Sequence, residues 1–222
     1  MQSEFDMGPL MRNTITACLM VFTTICSQAT WAQVVPQIGD QWIFELSNER
    51  RGTFTTSEVT RKVVAFESDF YVFEVITRHA DTVTSVRETR DSNLNIVESG
   101  NIRYKPSLDL FRLPLVVGKR SYAIERLQID SGRVVKMAGE VQVFPPTKMV
   151  TAAGEFEVTE VMAKGRYIDP KTDQSSRYQT RAWFAPTIGF FVKQEFFERN
   201  IEDTKDTIRL KLEIKSFKLQ LR

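Results

Sequence analysis

The 222-residue chain carries 30 lysine and arginine residues against 28 aspartate and glutamate residues, which gives a net charge of +2. The charges alternate in sign and form no basic block, so neither a nucleic acid nor an anionic membrane surface is expected as a partner. Its two cysteines, Cys18 and Cys26, lie near the N-terminus. A chain that loses this segment has no disulfide, no thiol nucleophile and no cysteine metal ligand.

The first 32 residues have the pattern of a secretory signal peptide. Arg12 precedes a short apolar run over 15–25, and small residues lead up to Ala32. The run is shorter than the about 20 apolar residues of a membrane span. We expect cleavage after Ala32, a periplasmic location in a Gram-negative bacterium and a mature chain without a transmembrane span. Met11 is the more natural start, because the residues before it are acidic where an n-region is basic.

Lipidation of a cysteine is a weaker alternative to this signal peptide. No apolar region lies between Arg12 and Cys18, and Ile25 stands where a small residue is needed before Cys26. We therefore expect both cysteines to be removed with the signal segment.

Residues 33–222 have the size of one domain and contain no linker or low-complexity tract. Apolar and polar side chains alternate with period two nearly throughout, which predicts β-strands. The predicted strands cover Trp42 to Leu46, Phe54 to Phe66, Phe70 to Thr77, Thr82 to Arg90, Leu94 to Val97, Ile102 to Tyr104, Tyr122 to Ile129, Val134 to Phe144, Glu155 to Ile168, Tyr178 to Phe184, Phe190 to Phe197 and Ile208 to Ile214. The pattern predicts an all-β fold, an antiparallel curved sheet or an open or partly closed β-barrel of about a dozen strands.

Two of these strands carry additional predictions. The strand from Thr82 to Arg90 is β-branched and polar, so we expect it to be exposed. In the last strand the apolar parity changes after Ser216, which indicates a β-bulge or the end of the strand.

Residues 105–119 interrupt the alternation. Pro106 and Pro114 exclude an uninterrupted helix or central strand, and Gly118 ends the segment. Its apolar side chains follow no clean period: Leu108, Leu110, Phe111, Leu113, Leu115, Val116 and Val117. We expect a buried crossover loop that seals one end of the core.

The segment 182–193 joins two aromatic strands through Pro186 and Gly189. Proline fixes φ and lacks a donor, and glycine can adopt positive φ, so a tight turn between the strands is predicted. The strand that follows has Phe190 on one face and Phe191 on the other, so both faces need a cover. Core packing is the simplest cover, and a second sheet, a loop or an apolar ligand is the alternative for one face.

Few polar residues suggest chemistry. His79 is the single histidine, so a metal site made of several histidines cannot form, and a solvated strand end is the expected environment. Asp91, Asn93 and Asn95 have the first spacings of a calcium loop, but the glycine and the terminal glutamate of that loop are missing. A β-turn is predicted there, and no metal or cofactor is expected.

Two glutamate pairs are candidates for an acid–base couple. Glu157 and Glu160, like Glu195 and Glu198, are three residues apart on predicted strands, so the members of each pair point to opposite faces. Neither pair can act alone as a glycosidase couple. Carboxylates that meet from different strands remain open, and with them a hydrolase.

Four motifs together resemble a family of exported bacterial β-rich envelope proteins of unknown function, which is broadly similar to half-barrel proteins that include lipoprotein carriers. The motifs are Gly39-Asp40-Gln41-Trp42, Leu113-Pro114-Leu115-Val116-Val117-Gly118-Lys119, Gly154-Glu155-Phe156 and the segment from Trp183 to Lys193. The resemblance spans residues 36–218. Phe44 and Arg120-Ser121 depart from the family pattern, which has tyrosine and a basic-aromatic pair there. The resemblance implies fold and compartment, and it supplies no catalytic residues.

The leading hypothesis is a non-enzymatic binding or assembly module for an apolar ligand or an envelope protein partner. Its candidate lining on the concave side of the sheet is Trp42, Phe111, Trp183 and Phe191. The alternatives are a carboxylate-dependent hydrolase and a purely structural periplasmic protein, the latter favoured if the concavity is filled by the protein's own side chains.

Overall fold

The computed structural model describes residues 33–171, 175–201 and 207–221. These ranges contain thirteen β-strands and no α-helix. The strands are β1 (Gln41–Arg50), β2 (Thr53–Glu67), β3 (Phe70–His79), β4 (Thr82–Arg90), β5 (Ile96–Ser99), β6 (Ile102–Lys105), β7 (Gly118–Gln128), β8 (Arg133–Val143), β9 (Thr147–Thr151), β10 (Gly154–Ile168), β11 (Ser175–Ala185), β12 (Phe190–Asn200) and β13 (Thr207–Lys218). The predicted signal peptide and cleavage site lie outside the described residues. Within those residues, no helix has the length and hydrophobicity needed to span a bilayer.

All thirteen strands belong to one antiparallel sheet that closes on itself. β1 pairs with both β2 and β13, and the order runs from β2 through β8 to β10, β11, β12 and back to β13. The ring closes because residues 161–168 of β10 pair with β8 while residues 159–168 pair with β11. β9 pairs with the first residues of β10 and is the one strand outside the ring of twelve. The predicted all-β, antiparallel curved sheet of about a dozen strands is confirmed, and it forms a closed barrel.

The pairing of β1 with β13 shows how the period-two pattern forms the barrel wall. Trp42 and Phe44 are 0% and 1% exposed and face the interior, whereas Glu45, which follows Phe44, is exposed. Ile43 is opposite Ser216 and Phe44 is opposite Ile214, so Lys215 is an extra residue on β13. The bulge predicted near Ser216 is therefore confirmed.

β4 differs from the exposed strand predicted. Its first six residues are exposed, but Glu88 and Arg90 are only 3% and 2% exposed. Glu88 Oε1 accepts a hydrogen bond from Arg90 Nε at 2.7 Å and lies 3.6 Å from Arg61 Nε. Charges this deep are tolerated when they are paired. We call Arg61, Glu88 and Arg90 the charge triad.

Aromatic rings surround the triad. The Arg90 guanidinium lies between 5.4 and 5.9 Å from the ring centroids of Phe73, Phe190 and Phe191, and its Nη1 donates to the Leu94 carbonyl at 2.7 Å. These cation–π contacts hold a charge against an apolar core, which explains why a polar sequence forms a buried half-strand.

A latch at Asp40 ties the two ends of the described chain together. Asp40 is fully buried, and its Oδ1 and Oδ2 accept the backbone N–H groups of Gln220 at 2.7 Å and Gln37 at 2.9 Å. The main chain at Gly39 and Asp40 also pairs with Val63, where β2 has its bulge. The Gly-Asp motif therefore fixes the N-terminal arm, β2 and the C-terminus at one point.

The predicted tight turn is present as a short 3-10 turn over Pro186–Ile188 that joins β11 to β12. Gly189 has φ of +62° and donates to the Pro186 carbonyl at 3.2 Å. The same carbonyl accepts the N–H of Val34 at 2.9 Å. A Cβ on Gly189 would clash with the Val34 carbonyl oxygen, so glycine is required by both conformation and space.

Candidate functional site

The segment between β6 and β7, residues 106–117, is an irregular loop that enters the barrel. Leu110 and Phe111 are 7% and 3% exposed, and the rings of Phe111 and Phe191 lie 4.5 Å apart. The predicted buried crossover loop is confirmed in its middle. Val116 and Val117 differ from that prediction, since they are 73% and 56% exposed.

One buried amide fixes the loop. Asn95 Oδ1 accepts the N–H groups of Leu110 and Phe111, each at 2.8 Å, and Asn95 Nδ2 donates to the Phe111 carbonyl at 2.9 Å. Asn93 Oδ1 accepts the N–H of Leu113 at 2.8 Å. These side chains replace the ladder bonds that an irregular segment lacks, so they hold the loop in one position.

Asp91 orients the two asparagines. Its Oδ1 accepts the N–H groups of Asn93 and Asn95, each at 2.9 Å, and its Oδ2 accepts the Ser107 hydroxyl at 3.0 Å. The turn predicted for this Asp-x-Asn-x-Asn pattern is confirmed. Its function as the anchor of the crossover loop was missed, although three turn-forming side chains ahead of a proline-flanked apolar segment are the signal.

A cavity of about 320 Å³, which we call the mouth cavity, lies between this loop and strands β7 and β8. Its apolar lining consists of Leu110, Pro114, Val116, Val117, Val141 and Val143. Three cationic side chains complete the lining: Arg112, Lys119 and Arg120. It is thus an apolar hollow with a basic border.

A smaller interior cavity of about 140 Å³ lies beyond the loop. Leu110 lines both cavities, and Phe111 and Phe196 line the interior one together with Arg90. The centre of the loop therefore separates the mouth cavity from the interior.

The charges at the mouth meet at Asp109. Arg112 and Arg120 both contact Asp109 Oδ2, at 2.9 and 3.0 Å, and Arg120 Nη2 also donates to the Asp109 carbonyl at 2.9 Å. Burial lowers the pKa of Arg120, and the charge of Asp109 opposes this shift. The hydrogen bonds that Arg112 donates to the Asp109 carboxylate raise the pKa of this exposed guanidinium. Both groups are cations at any physiological pH.

The four predicted lining residues occupy two environments. Trp42, Phe111 and Phe191 lie inside the barrel at 0%, 3% and 1% exposure, and Trp42 stacks on Phe190 at 4.5 Å. Trp183 is 6% exposed and pairs with Lys193 across the β11–β12 ladder. Lys193 Nζ lies 4.7 Å from its ring centroid, so cationic side chains cover it. A ligand-lining role for these four residues stays a prediction.

The faces of β12 differ from the predicted alternation. The register shifts between Trp183 and Phe184, and Phe190 and Phe191 both pack in the core with centroids 5.1 Å apart. The second cover of this strand, left open by the sequence, is Phe111 from the crossover loop.

A second hollow, the outer groove, has a volume of about 370 Å³ and lies across β11, β12, β13, β1 and β2. Phe54, which is 73% exposed, and Phe197 line it. Its charges are paired, for example Arg209 with Glu49 at 3.2 Å.

A polar cavity of about 170 Å³ lies at the end of β7 that is opposite to the mouth cavity. The ion pair between Arg133 and Asp169, at 2.7 Å, is part of its lining.

Two of the four candidate glutamates, Glu160 and Glu195, contact the same arginine. Arg181 Nε contacts Glu160 Oε1 at 2.8 Å, and Arg181 Nη1 lies 3.8 Å from Glu195 Oε2. Both carboxylates are therefore ion-paired with the same guanidinium. This pair therefore gives the hydrolase alternative no support.

His79 ends β3 and is exposed, as predicted for a strand end. Its Nδ1 lies 2.9 Å from the Thr56 carbonyl oxygen and 3.1 Å from the Ser57 hydroxyl. Within the described ranges, no group of three or more histidine or acidic side chains is placed to hold a metal ion.

Neither a family model nor a curated protein matches the chain. Among solved structures, a candidate lipoprotein from Parabacteroides distasonis is 12% identical with a TM-score of 0.55, and the match covers 84% of this chain and 99% of that one. A candidate exported protein with a YmcC-like fold from Bacteroides fragilis is 16% identical with a TM-score of 0.51, and the match covers 85% and 100%. The expected resemblance to exported β-rich proteins is thus confirmed at the level of fold, which this chain shares with a candidate lipoprotein and a candidate exported protein.

Proposed function

We propose that this protein is an exported cell-envelope protein that binds an apolar ligand in its mouth cavity and catalyses no reaction. The mouth cavity is the observation that carries the proposal. The signal-peptide pattern of residues 1–32 supports export to the periplasm with cleavage after Ala32. The lipoprotein and exported descriptions of the two structural neighbours support the same compartment.

The size and lining of the mouth cavity suit a small ligand. Its volume of about 320 Å³ falls in the range of about 300–1,000 Å³ that ligand sites occupy. Val116 and Val117 leave most of their surface in water. Full burial of one valine side chain is worth about 1.5 kcal/mol, so a ligand that covers both gains from that surface.

The two valines lie between an anchored part of the loop, which ends at Leu113, and Gly118, the first residue of β7. Asn93 and Asn95 hold the loop backbone up to Leu113, so little chain entropy is lost when a ligand binds. A preformed apolar surface of this kind is typical of ligand sites.

β8 pairs with β7 and β10, so it has no edge for strand addition. β6 pairs only with the last four residues of β7, so among the described strands residues 118–124 of β7 have a partner on one side only. The small volume and apolar lining of the mouth cavity favour a small ligand over an extended peptide.

Calorimetric titration of the delipidated mature protein with 1-decanol tests the proposal. We expect saturable binding that becomes roughly tenfold weaker in the Val116→Ser/Val117→Ser variant, since two partly covered side chains contribute about 1.4 kcal/mol together. The matched control is Val83→Ser/Val150→Ser, because these valines are 62% and 77% exposed on other strands.

The two double variants separate the outcomes. Absence of saturable decanol binding contradicts the proposed function, and so does equal weakening in both double variants. If Phe54→Ser alone abolishes binding, the ligand occupies the outer groove and the assignment to the mouth cavity is wrong.

A further inference from the structure

The cations around the mouth cavity indicate the class of its ligand. Arg112, Lys119 and Arg120 line the cavity, and no acidic side chain is among its described lining residues. The outer groove, by contrast, is lined by three cations together with two glutamates. The mouth cavity therefore has an unbalanced positive border.

The carboxylates that pair with these cations are each shared between two cationic side chains. Asp109 Oδ2 accepts both Arg112 and Arg120. Glu140 Oε1 lies 3.8 Å from Lys119 Nζ and 3.9 Å from Lys164 Nζ. Two carboxylates, Asp109 and Glu140, thus pair with four cationic side chains. The excess positive charge remains at the border of the apolar mouth cavity.

We propose that the ligand is an anionic amphiphile, whose alkyl chain covers the valines and whose carboxylate or phosphate group contacts Arg112 and Lys119. This inference rests on the proposed function. The side chains of Arg112 and Lys119 are 66% and 59% exposed, so they can turn their free donors towards a head group. A guanidinium has five N–H donors, and Asp109 accepts from Nε and Nη2 of Arg112.

Arg120 has a different function. Its side chain is 21% exposed, and it donates hydrogen bonds to both the carboxylate and the backbone carbonyl of Asp109. It therefore positions Asp109, which in turn positions Arg112. Substitution of Arg120 would disturb the loop, so it is unsuitable as a test of ligand charge.

The interior cavity sets the direction of the alkyl chain. Leu110 separates the two cavities, and the cavity beyond it is lined by Leu94, Phe111 and Leu212. The charged group stays at the exposed border, because burial of an unpaired anion is costly. The chain end consequently points towards Leu110.

Titrations with ligands of matched chain length test the charge preference. At low salt we expect decanoate or decyl phosphate to bind on the order of tenfold more tightly than 1-decanol, with the difference shrinking as salt is added. The Arg112→Ser/Lys119→Ser variant should bind decanoate or decyl phosphate no more tightly than it binds 1-decanol. Arg112→Lys should retain the preference, which separates charge from a structural effect.

The matched control is Arg87→Ser/Lys148→Ser. Arg87 and Lys148 are 65% and 81% exposed and are ion-paired, as Arg112 and Lys119 are. A preference that is lost equally in this control is a general charge effect and overturns the inference. Thermal unfolding of each variant verifies that the barrel is intact.

Three further results distinguish failure of the inference from failure of the proposed function. Equal affinity of wild type for decanoate and decanol overturns the anionic head group and leaves the proposed function standing. Acetate or inorganic phosphate binding as tightly as its decyl counterpart overturns the amphiphile. Failure of all decyl compounds to bind overturns the proposed function itself.

Discussion

Replacement of Glu88 by glutamine should be among the most destabilising single changes in the barrel. Glu88 is the carboxylate of the charge triad, and its side chain is 4% exposed between Arg90 at 2.7 Å and Arg61 at 3.6 Å. The variant retains two buried guanidinium groups without a counter-charge. Breaking a buried ion pair in this way costs about 3–5 kcal/mol, a large part of the typical stability of a domain.

The pH dependence of this loss has a defined sign. Burial tends to raise the pKa of Glu88, but Arg90, Arg61 and the Ser99 hydroxyl outweigh burial and hold the pKa below its usual value. A lowered pKa stabilises the folded state above the unfolded-state pKa of about 4.3, and this stabilisation is lost as pH falls through the folded-state pKa. The wild type and Glu88→Gln should therefore differ fully at pH 7 and converge below about pH 4.

Urea unfolding followed by the fluorescence of the buried Trp42 and Trp183 measures both effects. The matched variant is Arg61→Met, which leaves a neutral Glu88–Arg90 pair and removes a guanidinium whose Nε and Nη1 have no hydrogen-bond partner. Its unfolding free energy should be unchanged or higher. A cost below about 1 kcal/mol for Glu88→Gln, or an equal cost for Arg61→Met, would refute the reasoning.

Two further substitutions test the latch and the loop anchor. Asp40→Ala removes the acceptor of the Gln220 and Gln37 N–H groups and should lower the unfolding free energy by about 2–4 kcal/mol, with faster amide exchange at Gln220. Asn95→Ala strips the acceptor from Leu110 and Phe111 and should cost about 2–3 kcal/mol, with loss of amide protection at those two residues.

The control for both substitutions is Asn101→Ala. Asn101 Oδ1 accepts the exposed N–H of Asp130 at 3.0 Å, and the loss of such an exposed bond should cost less than about 1 kcal/mol. Unchanged exchange at Gln220 in Asp40→Ala, or at Leu110 in Asn95→Ala, would show that other contacts hold these segments.

The strands of the barrel wall could be predicted from local sequence, because apolar and polar residues alternate along each strand according to the face on which they lie. Ile208, Leu210, Leu212 and Ile214 alternate with charged residues, and the parity change after Ser216 corresponds to the bulge at Lys215. Closure of the ring has no such local pattern in the sequence, because it depends on which strands pair in the folded protein. The pairing of β10 with both β8 and β11 is visible only in the fold.

The interior was harder to predict, since polar residues there are stabilised by distant partners. Glu88 and Arg90 look like solvent-exposed residues in sequence, yet Arg61 and three phenylalanine rings from other strands surround them. The mouth cavity depends in the same way on Asn95, whose partners lie 15 and 16 residues further along the chain. β9 was missed because Pro145 and Pro146 directly precede it.

Closure of the ring by β1 and β13 makes the first and last strands of the fold direct neighbours. In a chain that emerges N-terminus first, one edge of β1 stays unpaired until β13 (Thr207–Lys218) is available. The hydrogen bond from the Gln220 N–H to Asp40 also forms only at that stage. Such non-local pairing slows folding, and unpaired edges promote aggregation. Truncation within the last fifteen residues would therefore leave an open sheet that is prone to self-association.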